Sequence, residues 1–137
     1  FINVNKRGRM VKPGEILISC HTNAVGNPKP SGASVWYHKG SDESYDLAVE
    51  VFERIMATGL FRQYNAGVIC DTSRYLTGFA VLREAVKAKA RAAILVEPGF
   101  LSNPNDRAKL TDPKSRILLA QAIYDGVCDY LRNSANK

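Results

Sequence analysis

The apolar residues of this chain fall into short runs, and this pattern restricts the possible folds more than any other feature of the sequence. Four short runs are typical of β-strands. Residues 16–20, 79–82 and 93–96 are mostly or wholly apolar, and residues 33–37 alternate. Two longer stretches, after Ser41 and after Asp112, instead repeat apolar residues at helical spacing. Strands mixed with long helices predict a layered α/β domain.

Both long helices begin at recognisable signals. Ser41 supplies a capping hydroxyl ahead of two acidic residues, and Gly59 ends this first helix. Asp112 caps the second helix, with Pro113 in its first turn. The residues that line one face of this closing helix are Ile117, Gln121, Tyr124, Val127, Cys128 and Leu131. A short helix is also predicted at residues 105–110.

The remaining segments carry turn residues rather than a periodic pattern. Three of them are predicted to be irregular: a lead-in at residues 1–15, a loop at 60–78 with a possible strand near 68–70, and a frayed tail at 133–137. The connection between the strands at 16–20 and 33–37 is too short for a crossover helix, so these strands are expected to be antiparallel if they pair. The whole chain, residues 1–137, is predicted to form one domain.

Composition excludes several classes of protein. The net charge is +6, but the basic residues are scattered and no nucleic-acid-binding motif accompanies them, so nucleic acid is not an expected partner. No apolar run is long enough to span a bilayer. The three cysteines are widely spaced and odd in number, which argues against a disulfide framework, and Cys20 is expected to be a small core residue. Phe1 is not a natural start residue, so the chain is expected to have been cut or trimmed.

Two polar residues directly follow predicted strands. His21 follows the strand at 16–20, and Glu97 follows the strand at 93–96. Ligands collect at the carboxyl ends of strands in open α/β sheets, so the two side chains could face one cleft. A carboxylate after four apolar residues lies near low dielectric, which raises its pKa toward the range useful for proton transfer. The alternative is a satisfied core histidine and a salt-bridged glutamate, and spacing alone does not decide between them.

The sequence segments around His21 and Glu97 resemble those of a known family. Residues 16–24, Ile-Leu-Ile-Ser-Cys-His-Thr-Asn-Ala, are similar to the segment that delivers a zinc-binding histidine in zinc-dependent N-acetylmuramoyl-L-alanine amidases. Residues 93–103, Ala-Ile-Leu-Val-Glu-Pro-Gly-Phe-Leu-Ser-Asn, resemble the segment that delivers the catalytic glutamate. Residues 79–83 and the closing helix also fit, so the resemblance runs from about Ile16 to Leu131.

The resemblance implies a fold and an activity. It implies a mixed, mostly parallel central sheet covered by helices, like that of zinc exopeptidases, with the N-terminal part missing. It implies zinc-dependent hydrolysis of the amide bond between N-acetylmuramic acid and L-alanine in peptidoglycan. His21 would be a Zn²⁺ ligand, Glu97 the general base and acid, and Asn23 a supporting residue. Such a protein would act outside the cytoplasm, in the periplasm, the cell wall or the secreted fraction, or as a phage lysin.

The chain departs from the family pattern at the metal site. A hydrolytic zinc site uses three protein ligands, but the segments that carry the family's first histidine and its zinc-binding glutamate are absent before Ile16. His38 and Glu15 are expected at the opposite end of the sheet from His21. The remaining ligands are therefore expected from a missing N-terminal segment or a companion chain. The alternative function is a non-catalytic, peptidoglycan-binding relative.

Further residues are candidates for weaker reasons. Trp36 and Tyr37 could stack on sugar, although an aromatic pair on a strand is more often part of a core. Four charged residues could contact the acidic stem peptide, but solvated surface is the simpler interpretation for each: Asp71, Arg74, Arg83 and Arg91.

Overall fold

The computed structural model describes residues 2–136 and shows four strands and five helices in this part of the chain. The strands are β1 (Ile16–Cys20), β2 (Ala33–Tyr37), β3 (Gln63–Cys70) and β4 (Ala92–Glu97). The helices are α1 (Val4–Arg9), α2 (Asp42–Ala57), α3 (Ala80–Lys87), α4 (Pro104–Thr111) and α5 (Pro113–Ala135), and a single 3-10 turn spans Asp71–Ser73. None of the helices in this range is long and apolar enough to cross a membrane.

The four strands form one mixed sheet in the order β1-β4-β2-β3. β1 is parallel to β4 with Cys20 opposite Val96, β2 is parallel to β3, and β4 and β2 are antiparallel with Ser34 opposite Glu97. β1 and β2 do not pair, because β4 lies between them. The α/β fold with a mixed sheet is therefore confirmed. Within residues 2–136, β1 pairs on one side only and is an edge strand.

Helices cover both faces of the sheet, and β4 shows why. Its alternate residues point to opposite faces, with Ile94 and Val96 in one core and Ala93 and Leu95 in the other. The first core packs the sheet against α2 and α5, through residues such as Leu47, Val51, Ile55, Ala122 and Tyr130. The second packs it against α3, through Val81, Leu82 and Ala85. A strand buried on both faces reads as a continuous apolar run, and the prediction that 93–96 is a central strand is confirmed.

The predicted strand at residues 79–82 is wrong, because this segment begins α3. Val81, Leu82 and Ala85 recur at helical spacing and pack on the sheet face that contains Trp36. A run of four apolar residues fits a buried strand and one turn of a buried helix equally well. Only the three-dimensional packing separates the two.

Three irregular segments turn out to be partly regular. The lead-in contains α1, whose Gly8 lies so close to α3 that an added Cβ would collide with the carbonyl oxygen of Val81. The loop at 60–78 contains β3, which is longer than the short strand expected near 68–70. The first three residues of the tail are helical, since α5 continues to Ala135, and Lys137 lies outside the described residues.

The long helices begin where the sequence predicts. The Ser41 side chain accepts a hydrogen bond from the Ser44 amide at the start of α2, and Asp112 caps α5 at Ser115. The short helix predicted at 105–110 is α4. The predicted face of α5, however, is only partly packed: Val127 packs against the core, whereas Ile117 is 72% exposed and Tyr124 is 63% exposed.

Small residues decide which face of α5 packs. Ala122, Gly126 and Tyr130 are the buried residues of this helix. A Cβ placed on Gly126 would lie 2.6 Å from the Val51 Cα, so α5 and α2 are in backbone contact there. This close approach turns the apolar stripe that contains Ile117 toward solvent.

Candidate active site

His21 and Glu97 lie at the same end of the sheet, at the carboxyl ends of β1 and β4, because these strands are parallel neighbours in register. The His21 amide donates a hydrogen bond to the Val96 carbonyl at 2.9 Å, which continues the ladder by one residue. Both side chains line one pocket of about 190 Å³. Its other walls come from β1, β4, α1 and the start of α3, with the residues Val4, Arg7, Ser19, Phe79, Ala80, Val81 and Leu95.

Two neutral donors hold the Glu97 carboxylate. The Asn23 amide nitrogen and the Trp36 indole nitrogen each donate to the same oxygen, Oε2, at 3.0 Å. Trp36 reaches it from β2, where Ser34 is opposite Glu97, and its side chain is 2% exposed. Trp36 is therefore a core residue, and it also orients the carboxylate.

Burial and hydrogen bonding act on Glu97 in opposite directions. Burial raises the pKa of the Glu97 carboxyl above its ordinary value, while the donor from Trp36, the charges of His21 and Arg74 and the donor from Asn23 lower it. Burial prevails, so the pKa is raised. The carboxyl is thus closer to neutrality than a surface glutamate and is better matched to both accepting and giving a proton.

The imidazole of His21 lies between two cavities. Its Nε2 is 3.1 Å from the Ser19 hydroxyl on one side. On the other side it lines a larger cleft of about 540 Å³ between the end of β1 and α5, together with Cys20 and Arg116. Cys20 is exposed, so its expected place in the core is wrong. It is the last residue of the edge strand and lines this cleft.

The segment after Glu97 is built against the segment after His21. The backbone amide of Asn23 donates to the backbone carbonyl of Gly99 at 2.9 Å. The backbone amide of Leu101 donates to the backbone carbonyl of Asn23 at 2.8 Å. Asn23 therefore fixes the backbone after Glu97 as well as its side chain. The two segments that resemble the amidase family, residues 16–24 and 93–103, are therefore hydrogen-bonded to each other.

A buried carboxylate ties this unit to the start of β2. Asp106 is 2% exposed and accepts hydrogen bonds from the Gly32 amide at 2.8 Å, the Phe100 amide at 3.0 Å and the Ser31 hydroxyl at 2.8 Å. It lies in α4, three residues after the segment 93–103 that resembles the amidase family. Sequence reasoning missed Asp106. The available signal was Asn103 followed by Pro104, which marks a helix start and places Asp106 in the first turn of α4.

The residues described do not by themselves fit a zinc centre. No three His, Cys, Asp or Glu side chains within 2–136 come together as a possible metal site. His38 follows β2, which runs against β4, so it emerges at the opposite edge from His21, and it pairs with Asp71 instead. Glu15 precedes β1 and also lies away from His21. Tetrahedral zinc with one open position needs three protein ligands, and His21 is one imidazole.

Asp71 is buried, which corrects its interpretation as solvated surface. It is 0% exposed, its carboxylate accepts a 2.7 Å hydrogen bond from the Phe79 amide, and His38 Nδ1 lies 3.0 Å from both of its oxygens. Gly78 has a φ of 64° and is so close that a Cβ would collide with this carboxylate. Arg74, on the loop that Asp71 anchors, is exposed.

Comparisons with known proteins identify the family of this chain. A family model described as N-acetylmuramoyl-L-alanine amidase matches residues 1–129. The chain is 28% identical over 116 residues to the germination-specific N-acetylmuramoyl-L-alanine amidase of Bacillus subtilis (strain 168), covering 85% of this chain and 44% of that protein. It is 33% identical over 128 residues to the "Probable cell wall amidase LytH" of Staphylococcus aureus, covering 93% of this chain and 38% of that protein. It thus spans less than half the length of these relatives.

A solved structure shows the same fold. The N-acetylmuramoyl-L-alanine amidase from Clostridium difficile 630 superposes with a TM-score of 0.81 at 28% identity, over 96% of this chain and 67% of that one. The sheet, the paired segments after β1 and β4 and the sequence match all point the same way. This chain belongs to the N-acetylmuramoyl-L-alanine amidase family.

Proposed function

We propose that this chain forms part of the active site of an enzyme that hydrolyses the amide bond between N-acetylmuramic acid and L-alanine in peptidoglycan. The observation that carries the proposal is the placement of Glu97. Its carboxyl group has a raised pKa, is oriented by Asn23 and Trp36, and shares a pocket with His21. The family match and the relatives described above support the choice of substrate.

In this proposal Glu97 moves the proton. Amide hydrolysis requires that water lose a proton as its oxygen attacks the carbonyl carbon, and that the leaving nitrogen gain one. Glu97 would accept the first proton and deliver it to the nitrogen. Both donors address Oε2, so the carboxylate is held in one orientation through both transfers. A raised pKa suits a group that must be base and then acid within one turnover.

Zinc is the proposed metal of the complete site, with His21 as one ligand. The donor set of residues 2–136 does not complete a zinc centre, so the other ligands would come from a further segment of the polypeptide or from a companion chain. Metal analysis of the natural full-length protein tests this. We expect stoichiometric zinc in the wild type and a clear loss in His21→Ala. Equal zinc in both proteins would remove His21 from the ligand set.

The proposed place of action is outside the cytoplasm, at the bacterial cell wall or as a phage lysin. The names of two relatives, a germination-specific amidase and a probable cell wall amidase, support this location. Fractionation of the source cells with an antibody against the chain tests it. A protein found only in the cytoplasmic fraction would contradict it.

The central test is the substitution Glu97→Gln in the natural full-length protein. The carboxamide keeps the size of the side chain but removes its proton transfer, and we expect kcat for stem-peptide release from purified cell walls to fall by about 10²–10⁴-fold. Glu53→Gln is the matched control, because Glu53 lies on the exposed face of α2, away from the pocket. Retention of full activity in Glu97→Gln would refute the assigned role.

A second function has one observation in its favour. Since the Glu97 pocket contains one imidazole, that of His21, and residues 2–136 contain no three-ligand cluster, the chain could belong to a peptidoglycan-binding relative that does not cut. Such a protein would sediment with insoluble cell walls, release no stem peptide, and lose no binding in Glu97→Gln. Release of stem peptide by the wild type would exclude this alternative.

A further inference from the structure

A short loop between β3 and α3 has a fixed backbone because both of its ends are bonded to Asp71. The amides of Arg74 and Tyr75 donate to the Asp71 carbonyl at 3.2 and 3.0 Å, and the Phe79 amide donates to the buried Asp71 carboxylate at 2.7 Å. His38 holds the other side of that carboxylate. Arg74 therefore lies on a loop whose two ends are fixed by hydrogen bonds.

Aromatic contacts join this loop to the Glu97 pocket. The ring of Phe79, which lines the pocket, lies 5.4 Å from the ring of Trp36 in an edge-to-face arrangement, and 5.1 Å from the ring of Tyr75. Trp36 in turn donates to the Glu97 carboxylate. The loop thus lies beside the pocket.

The guanidinium group of Arg74 lies among tyrosines. It is 5.9 Å from the centre of the Tyr75 ring, and the phenol groups of Tyr64 and Tyr75 raise the pKa of Arg74 above its ordinary value. Tyr64 packs edge-to-face on Phe100, in the segment that follows Glu97, at 4.8 Å. Among residues 2–136 no carboxylate forms an ion pair with Arg74, whereas several other arginines have one: Arg9, Arg54, Arg83, Arg91 and Arg132.

We propose that Arg74 binds a free carboxylate of the stem peptide and so places the scissile amide at Glu97. The inference rests on the proposed function and extends it to the recognition of an acidic peptide. A guanidinium offers a planar pair of donors that matches a carboxylate, and no ion pair of Arg74 with a residue of 2–136 has to be replaced when the substrate arrives. The net charge of +6 favours the approach of the same anionic substrate.

The test compares two probes that differ only in charge. They are N-acetylmuramoyl-L-alanyl-D-glutamate with free carboxyl groups and the same compound with both carboxyl groups converted to carboxamides. Binding to the natural full-length protein is followed through Trp36, the single tryptophan of this chain, or by calorimetry if the full protein contains others. Cleavage of each probe is measured in parallel. The variants are Arg74→Ala, Arg74→Lys and the control Arg107→Ala, which removes an exposed arginine on α4.

We expect Arg74→Ala to weaken binding of the acidic probe roughly tenfold, the effect of losing one charge-assisted hydrogen bond, and to leave the diamide unchanged. Arg74→Lys should recover part of the loss, and Arg107→Ala should match the wild type. Equal effects of Arg74→Ala on the two probes, no effect on either, or no binding of the acidic probe to the wild type would each overturn the inference.

The two proposals fail in different ways. If the wild type binds the acidic probe through Arg74 but releases no peptide, the amidase function fails and Arg74 recognition stands. If the wild type cleaves both probes and Arg74→Ala changes neither KM, the Arg74 inference fails and the amidase function stands. A thermal melt of each variant shows whether a loss of binding is a loss of folding.

Discussion

Replacing Asp106 by alanine should cost this fold several kcal/mol, because three hydrogen bonds end on its carboxylate. The substitution leaves the buried amides of Gly32 and Phe100 without acceptors. Each unsatisfied buried donor costs about 1–3 kcal/mol, so the two together account for roughly 4 kcal/mol. The Ser31 hydroxyl is half-buried and can turn to water, so it adds little.

Urea unfolding followed by the fluorescence of Trp36 measures this loss. The variant should lower the free energy of unfolding by roughly 4 kcal/mol while the denaturant slope stays constant, which shows that the native fold is the starting state. Ser31→Ala is the matched control, since it removes one donor and leaves the carboxylate and both amides paired. It should cost about 1 kcal/mol.

The reasoning fails on a specific outcome. Asp106→Ala could lose no more free energy of unfolding than Ser31→Ala. In that case the unpaired amides of Gly32 and Phe100 carry no burial penalty, and the hydrogen bonds to Asp106 do not stabilise the fold. A large loss in Ser31→Ala alone would point to the hydroxyl instead. A changed denaturant slope would mean that the variant begins from a different, less compact state.

Three further outcomes follow from the geometry. Trp36→Phe removes a donor that lowers the pKa of Glu97, so that pKa should rise further. Under the proposed function, the acidic limb of the kcat/KM profile of the natural full-length protein should then move to higher pH, and an unmoved or lower limb would contradict the assignment. Gly78→Ala should destabilise the fold in thermal melts more than Gly40→Ala, since both glycines have positive φ but only at position 78 would the added Cβ collide with a buried carboxylate. Ile117→Ser should change the unfolding free energy by less than about 0.5 kcal/mol, and a core-sized loss would show that its face of α5 is packed.

The placement of His21 and Glu97 at one end of the sheet could be predicted, because each lies at the end of an apolar strand. The apolar run before Glu97 is buried on both faces, and a strand of that kind is readable from the sequence. Since β1 and β4 are parallel neighbours, His21 and Glu97 meet at one edge, as the rule for carboxyl ends of strands suggests.

The parts that could not be predicted depend on contacts between distant residues. Trp36 and Glu97 are 61 positions apart, and nothing local shows that the indole reaches the carboxylate. The buried role of Asp71 depends on His38, 33 positions before it. In α5 the apolar pattern indicates one face, but the packing face follows the small residues Ala122 and Gly126, whose close contact with α2 no periodicity reveals.

The open side of β1 matters for anyone who prepares residues 1–137 alone. Along that side no strand from the described part of the chain pairs with β1, and Ile16 to Cys20 contain neither proline nor charge to discourage pairing. The apolar stripe of α5 is also exposed. A preparation of this kind is prone to self-association through strand addition, and a lysine placed at an outward position of β1 is the direct remedy.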